Sequence, residues 1–280
     1  MTIYPFTISI GGFGITGFGL MMMFAFLVAG WIMRLDLERR HLHGNYAGDI
    51  VVAAVIGGIL GAKIWYVLLT RDPGAIFTRG GLVWYGGFIG GVLAVMFHGR
   101  QKGVPLRWTM QLVGPAITAA YAVGRVGCFL VGDDYGGPSS LPWAMKFPEG
   151  LPPSTAANLQ AFGVRIPEGL SPDTVLAVHP TQIYETLAML AVFAWLWPRR
   201  DKLGGTGAVF AAYLILAGIE RFLVEILRAK DDRFLGPFTI AQVTSLLVTA
   251  VGVMLYLKLK NAGEAAPGKY LEGASPGAVA

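Results

Sequence analysis

Long apolar runs separated by short polar or basic segments form the pattern of this chain up to about residue 260. Each run is about 18 to 25 residues long, which suits a helix crossing the ~30 Å hydrocarbon core of a bilayer. Runs of this length are typical of transmembrane helices rather than of strands. The pattern predicts about seven transmembrane helices, over residues 15–33, 49–69, 82–98, 108–131, 182–197, 205–227 and 240–259.

The composition agrees with this pattern. Of the 280 residues, 54% are hydrophobic and 14% are charged, and the mean hydropathy of +0.58 is too high for a soluble domain of this size. The predicted fold class is therefore an all-α, polytopic membrane protein. The single cysteine, Cys128, excludes an internal disulfide and a cysteine-based zinc cluster, and we expect no metal and no cofactor.

Basic residues are concentrated beside the apolar runs, although the net charge is +5. They are most frequent after the first, third, fifth and seventh predicted helices, as in segments 34–40 and 199–202. Cytoplasmic loops of membrane proteins carry this excess, so we expect the N-terminus outside and the C-terminus in the cytoplasm. The same clustering argues against nucleic-acid binding.

Two segments lie outside the predicted helices. Residues 132–179 contain seven prolines, which interrupt helices, so we predict a small extracytoplasmic cap there. Residues 261–280 are rich in Gly, Ala and Pro and should form a disordered cytoplasmic tail. The predicted organisation is a transmembrane domain over residues 1–260, with the cap as an insertion, followed by the tail.

Arginines within two predicted helices are the clearest candidates for a functional site. Arg125 lies near the outer end of the fourth helix, and Arg221 lies inside the sixth. An arginine at the bilayer centre costs roughly 2.5–3.5 kcal/mol, so such residues face the bundle interior, pair with acids or bind a ligand. One interpretation is an internal salt bridge of Arg221 with Glu220 or Glu225. The other is that both guanidinium groups bind a lipid phosphate, whose oxygens match their paired donors.

The sixth predicted helix carries further charges on the side of Arg221. Glu225 follows Arg221 by four positions, and Arg228 follows it by seven. Residues at these spacings share one face of a helix. We expect this face to line a cavity under either interpretation.

Two other segments combine polar or aromatic residues with a predicted helix start. Tyr85 lies in the glycine-rich segment 80–91, whose glycines favour close approach of two helices. Its phenol group suits either an anchor at the membrane interface or a hydrogen-bond donor to substrate. In segment 179–185, capping explains the proline and the threonine. Four side chains exceed what a cap needs and are expected to line a cavity: His179, Gln182, Tyr184 and Glu185.

Four segments together resemble the bacterial prolipoprotein diacylglyceryl transferases: GGLVWYGGFIGG (80–91), GRVGCFLVGDDYG (124–136), HPTQIYE (179–185) and ERFLVEILR (220–228). They occur in the order of that family, and the likeness extends from Phe18 to Gln242. The resemblance implies a seven-helix inner-membrane enzyme that transfers the diacylglyceryl group of phosphatidylglycerol to the lipobox cysteine of a prolipoprotein and releases glycerol phosphate. Its partners would be phosphatidylglycerol, the prolipoprotein signal peptide and the bilayer.

The resemblance also implies roles for individual residues. Arg221 and Glu225 match the arginine and glutamate of the family's sixth helix, and Asp133 stands where the family often has glutamate. The residues expected to act in catalysis are Arg125, Arg221, Tyr85, His179 and Glu225. Those expected to bind substrate are Arg125 (the lipid phosphate), Asp133, Gly136, Gln182, Glu185 and Arg228.

Three positions depart from the family pattern. Tyr85 stands where well-studied members have histidine, Cys128 replaces an asparagine, and Phe18 replaces a tyrosine. The first change leaves the general base open among His179, Tyr85 and Glu225. Cys128 is expected to pack as a small hydrophobic residue and not to act as a nucleophile.

Two alternatives remain open at this level. A transporter or an anionic-lipid-binding protein would use the same arginines to hold an anion, although we find no inverted repeat that would favour a transporter. A divergent family member would keep the fold and act on another acceptor, or lack activity, because a fold does not fix a function.

Overall fold

The computed structural model describes residues 1–11, 13–78, 81–229, 233–235 and 237–273. Residue Gly80 of the glycine-rich segment and residues 274–280 of the predicted tail lie outside the described residues. In chain order the helices are α1 (Gly17–Arg39), α2 (Asn45–Thr70), α3 (Trp84–Gln101), α4 (Leu106–Val131), α5 (Ala156–Ala161), α6 (Thr181–Arg199), α7 (Ala208–Glu225), α8 (Ile240–Leu259) and α9 (Lys269–Glu272). All except α5 and α9 have at least 18 residues and coincide with the predicted helices to within a few residues.

The structure is mostly helical, as predicted, but it also contains short strands. Strands β1 (Thr7–Ile10) and β2 (Phe13–Thr16) form an antiparallel hairpin ahead of α1. Strands β3 (Arg233–Leu235) and β4 (Phe238–Thr239) form a second hairpin ahead of α8. A 3₁₀ helix at Pro73–Phe77 follows α2.

In the part of the chain that the structure describes, four helices are long and apolar enough to cross a membrane: α1, α2, α4 and α8. Helix α7 has a suitable length but contains three charged residues, Glu220, Arg221 and Glu225. A membrane protein is therefore supported, while the count of seven spans stays a prediction.

Glycines bring α2 and α3 into close contact. A Cβ atom added to Gly61 would collide with the carbonyl oxygen of Gly86, and one added to Gly57 would meet that of Gly90 at 2.5 Å. The glycine-rich segment therefore packs as the sequence predicts, through close helix approach. Helix α4 lies at the centre of the bundle and packs against α1, α6 and α7.

The loops after the first, third, fifth and seventh long helices meet at one end of the bundle. Arg200 donates to the buried carboxylate of Asp36 at 2.7 Å, and Arg40 donates to the same group at 3.0 Å. Arg107 donates to the carbonyl oxygens of Thr206 and Gly263. The placement of these loops agrees with the alternation of basic segments; the side of the membrane on which they lie stays a prediction.

Residues 132–179 fold into a compact unit at the other end of the bundle. Phe147, Leu159 and Val178 are fully buried and form a small hydrophobic core with Tyr135. Isolated bridges tie the segment together, including Met145 with Val178. The compact fold agrees with the predicted cap, but its role as a cap and its extracytoplasmic location stay predictions.

The prediction of a disordered tail is wrong for residues 261–273. Leu271 is fully buried, and its carbonyl oxygen accepts a hydrogen bond from the His43 amide at 2.9 Å. The Tyr270 hydroxyl donates to Asp49 at 2.7 Å, and Trp108 donates to the Ala265 carbonyl at 2.8 Å. Two large side chains and several backbone contacts offset the ordering cost that the Gly, Ala and Pro content suggests.

Candidate active site

Arg125 lies at the centre of a charged cluster, and its guanidinium group pairs with acidic residues from two other parts of the chain. One nitrogen, Nη2, donates to Glu185 Oε1 on α6 at 2.6 Å, and Nη1 donates to Asp134 Oδ2 at 2.9 Å. The side chain is 11% exposed, and that of Glu185 is 1% exposed. The other oxygen of Glu185 accepts from the Tyr121 hydroxyl at 2.5 Å. These contacts hold the arginine in one orientation.

Arg228 joins the same cluster from the other side of Asp134. Its Nη2 donates to Asp134 Oδ1, so the two oxygens of this carboxylate each accept from a different arginine. Arg228 also lies 3.9 Å from Glu185 Oε1. The predicted sixth helix extended through residue 227, but α7 ends at Glu225, and the chain then turns so that Arg228 forms an isolated bridge with Gly136.

Arg221 connects to the cluster through Glu225. Arg221 Nη2 lies 2.7 Å from Glu225 Oε2, and Arg228 Nε lies 3.7 Å from the same oxygen. The Thr239 hydroxyl, which caps α8, donates to Glu225 Oε1 at 3.2 Å. An internal salt bridge of Arg221 is therefore confirmed, and its partner is Glu225 rather than Glu220.

The cluster retains buried donors that protein groups do not use. Arg125 Nε, Arg221 Nη1 and Arg228 Nε each have no hydrogen-bond partner among the described residues. Buried polar atoms are almost always paired, and unpaired ones require a specific explanation. Three unpaired guanidinium donors in one cluster are suited to an anionic ligand.

The loop after α4 places Asp134 between the arginines. Gly132 ends the helix at φ +67°, and Asp134 itself has φ +59°. Burial by itself would raise the pKa of Asp134, but Arg228 and Arg125 outweigh it, and the pKa falls to about 2. For Asp133, burial and the neighbouring Asp134 raise the pKa. Asp134 is therefore the ionised partner of the arginines.

The first turn of α6 holds this loop by its main chain. Gln182 Nε2 donates to the Asp133 carbonyl at 2.5 Å, and the Thr181 hydroxyl donates to the Asp134 carbonyl at 2.7 Å. Gln182 is fully buried. It thus fixes the position of Asp134, and its remaining oxygen, Oε1, has no partner in the described ranges.

Gly136 lies where three segments meet. Its amide donates to the His179 carbonyl at 2.8 Å, and the Gly137 amide donates to the Leu227 carbonyl at 2.8 Å. A Cβ atom at position 136 would lie 2.5 Å from the Leu227 oxygen and 2.7 Å from His179 Cβ. Only glycine fits here without displacing the neighbouring segments.

His179 and Tyr184 form a separate aromatic pair at the start of α6. His179 Nδ1 lies 3.3 Å from the Tyr184 hydroxyl oxygen, which also accepts from Trp143 Nε1 at 2.7 Å. This pair borders the cluster through the Gly136 contact. In the described structure, the imidazole itself forms no hydrogen bond with the arginines.

Among the described residues, no hydrogen bond joins Tyr85 to the arginines. It lies in the first turn of α3, which packs mainly against α2, and its side chain is 55% exposed with its ring edge against Trp84. Cys128 is buried, with its sulfur 3.3 Å from Arg125 Nη1. The sulfur thus has a polar neighbour, and the expected packing role of Cys128 stays a prediction.

Sequence reasoning did not single out three residues of the cluster: Tyr121, Asp134 and Thr239. Tyr121 precedes Arg125 by one helical turn and therefore shares its face, which is a signal the sequence did contain. The family resemblance points to the neighbouring Asp133 instead of Asp134. Thr239 carries a recognisable capping pattern with Gln242, but its contact with Glu225 depends on the tertiary fold.

Comparison with known proteins places this chain in a family. The sequence model of the family described as "Prolipoprotein diacylglyceryl transferase" matches residues 5–258. Among the relatives, the phosphatidylglycerol–prolipoprotein diacylglyceryl transferase of Nitratidesulfovibrio vulgaris (strain Miyazaki F) is 30% identical, over 93% of this chain and 95% of its own length. Those of Bordetella avium and Methylobacillus flagellatus are each 32% identical, over 83% and 90% of this chain and 84% and 95% of their own lengths. This chain belongs to the prolipoprotein diacylglyceryl transferase family.

Proposed function

We propose that this protein transfers the diacylglyceryl group of phosphatidylglycerol to the lipobox cysteine thiol of prolipoproteins and releases glycerol phosphate. The observation that carries the proposal is the pair of arginines around one anion: Arg125 and Arg228 each donate to a different oxygen of Asp134. Phosphate oxygens suit the same donors. Family membership supports the reaction and does not favour a transporter.

The lipid phosphate would take the place of the Asp134 carboxylate. The Asp134 side chain is 40% exposed, whereas that of Glu185 is 1% exposed, so the first is the replaceable partner and the second is the fixed one. Glu185 keeps Arg125 oriented while Asp134 moves aside. The unpaired Nε donors of Arg125 and Arg228 add hydrogen bonds to the incoming phosphate.

In the reaction, the acceptor sulfur attacks the glyceryl carbon that carries the phosphate oxygen. The carbon–sulfur bond forms as the carbon–oxygen bond breaks, and negative charge grows on the departing glycerol phosphate. Preorganised cations stabilise such charge without reorganisation in the transition state. Arg125, Arg228 and Arg221 would supply this field.

The proposed setting is the bacterial inner membrane, with the cluster near the outer leaflet. The cap and the cluster lie at the same end of α4, since Asp133 and Asp134 begin the cap directly after this helix. If the N-terminus is outside, the C-terminal end of α4 faces away from the cytoplasm. This is the side of the membrane on which the lipobox of a translocated prolipoprotein would lie. The cap is then placed to contact the prolipoprotein.

The test is diacylglyceryl transfer from phosphatidylglycerol to a lipobox peptide by the purified protein. Arg125→Ala and Arg221→Ala should each lower the rate by about 10²–10³-fold, the usual effect of removing one transition-state donor. Arg125→Lys keeps the positive charge but loses the paired guanidinium donors that bind two oxygens at once, so the transfer rate of this variant should also fall. Arg100→Ala, at an exposed position on α3, is the control and should match wild type.

Two results would contradict the proposal. Wild-type protein that is folded and binds phosphatidylglycerol but forms no product would favour the lipid-binding alternative or a different acceptor. Variants at Arg125 and Arg221 that retain full activity would exclude the assigned phosphate site.

A further inference from the structure

Glu220 on α7 is a buried carboxylate that the proposed phosphate site does not use. The residue is 8% exposed, and its Oε1 atom is buried without a hydrogen-bond partner among the described residues. A buried ionised carboxylate without a partner is costly, and a protein retains one mainly where it serves a function. From the sequence, Glu220 is one of two candidates for the salt bridge with Arg221, but Arg221 pairs with Glu225.

The other buried acids of the described chain are neutralised. Glu185 pairs with Arg125, Glu225 pairs with Arg221, and Asp36 pairs with Arg200. Glu220 has no ion pair in the described ranges. It is therefore the buried carboxylate of the described chain that no cation occupies.

The position of Glu220 places it beside the arginine cluster. Its carboxylate interacts electrostatically with Glu185 on α6 and with Arg125 and Tyr121 on α4. On its own helix, the charged or titratable groups that act on it are Arg221 and Tyr213. Glu220 therefore interacts electrostatically with groups on α4 and α6 that belong to the proposed phosphate site, and it directly precedes Arg221 on α7.

The earlier candidates for proton acceptor are less suited to that task. Tyr85 is 55% exposed on α3, and in the described structure its ring contacts Trp84. His179 contacts the Tyr184 hydroxyl. Glu225 is occupied by Arg221 and by the Thr239 hydroxyl.

We propose that Glu220 is the catalytic base that takes the proton from the acceptor thiol. The S–H proton moves to the Glu220 carboxylate, and the sulfur forms its bond to the glyceryl carbon. The C–O bond of that carbon breaks, and its electron pair leaves with glycerol phosphate. The proton on Glu220 then passes to the departing phosphate or to water, which restores the carboxylate. This inference rests on the proposed function.

Glu220→Gln tests the role because it keeps the shape of the side chain and removes the base. Transfer to a cysteine lipobox peptide should fall by about 10²–10⁴-fold, the usual contribution of general base catalysis. Replacing a buried carboxyl group that has no partner among the described residues with an amide of the same shape should not lower the melting temperature. Glu220→Asp keeps a carboxylate and should recover part of the rate, and Glu272→Gln, at an exposed position on α9, should match wild type.

A lipobox peptide with selenocysteine in place of cysteine separates a base from a structural residue. A selenol is more acidic than a thiol and is already ionised at neutral pH, so it needs no base. Glu220→Gln should therefore transfer to the selenol peptide at nearly the wild-type rate. An equal loss with both peptides would overturn the proposal, because a structural defect affects both acceptors alike.

The pH dependence provides a second measurement. For the thiol peptide, the pH profiles of wild type and Glu220→Gln should differ in shape, because only the wild type loses the base as pH falls. Profiles of the same shape for the two proteins would overturn the role of Glu220 and leave the proposed function intact. No product from the wild type with either peptide would overturn both.

Discussion

Gly136→Ala should destabilise the site because the structure leaves no room for a methyl group there. The added Cβ would lie 2.5 Å from the Leu227 oxygen, 2.7 Å from His179 Cβ and 2.9 Å from Thr181 Cγ2. None of these neighbours can yield freely. The Leu227 carbonyl accepts from the Gly137 amide, and the His179 carbonyl accepts from the Gly136 amide, so a shift strains or breaks these hydrogen bonds.

The expected cost is that of overpacking, about 1–3 kcal/mol. For a chain of this size, each kcal/mol lowers the melting temperature by about 2–4 °C, so the loss should be about 2–12 °C. The strain also separates Asp134 from Arg228, since Leu227 precedes this arginine directly. Displacing catalytic groups by about 1 Å can cost about 10²-fold in rate.

Gly137→Ala is the matched control. The nearest atom to its added Cβ is the same Leu227 oxygen, at 3.9 Å, which is ordinary contact. Its melting temperature should stay close to that of wild type, within the ~0.5 kcal/mol typical of benign substitutions. Thermal unfolding in detergent and the transfer assay measure both effects. Equal melting temperatures for the two variants would refute the steric reasoning.

Three further predictions concern the ion pairs and the C-terminal segment. Asp134→Asn should lower the melting temperature near neutral pH. The stabilisation from the Asp134 carboxylate is complete above the pKa of an unfolded aspartate, about 3.9. It is lost as pH falls through the folded pKa of about 2. A difference between the two proteins that persists at about pH 2 would contradict this assignment. Glu185→Gln should cost about 3–5 kcal/mol in unfolding free energy, because it leaves Arg125 without its buried partner; a neutral result would mean that Asp134 alone suffices. Leu271→Ala should cost about 2–5 kcal/mol through loss of a fully buried side chain; unchanged thermal unfolding would show that residues 261–273 are not docked in solution.

The sequence alone predicted the long helices, because the hydrophobicity of a run of residues can be read from that run without knowing what it packs against. It also identified Arg125 and Arg221, since a charge inside an apolar run is visible without knowledge of its partners. The close approach of α2 and α3 followed from their glycines in the same way. The comparisons then confirmed the family that the motifs resemble.

Other features depended on contacts between distant segments. The partners of Arg125 and Arg228 lie 60 and 94 positions away in the chain, at Glu185 and Asp134, and no local pattern fixes such pairs. Sequence spacing cannot distinguish two adjacent aspartates. The left-handed backbone conformation of Asp134, with φ +59°, accompanies the contact of its side chain with the arginines.

The C-terminal segment and Glu220 show the same division. The tail has the composition of a disordered segment, yet Tyr270 and Leu271 find a preformed surface at the end of the bundle. Glu220 differs from the buried acids Glu185 and Glu225 in having no ion pair within the described chain. This difference depends on how the helices pack, so the sequence does not show it. The sequence determined which segments are helical and which charges lie among them, because hydrophobic periodicity is local; the tertiary structure decided which charges meet, because pairing depends on packing between helices.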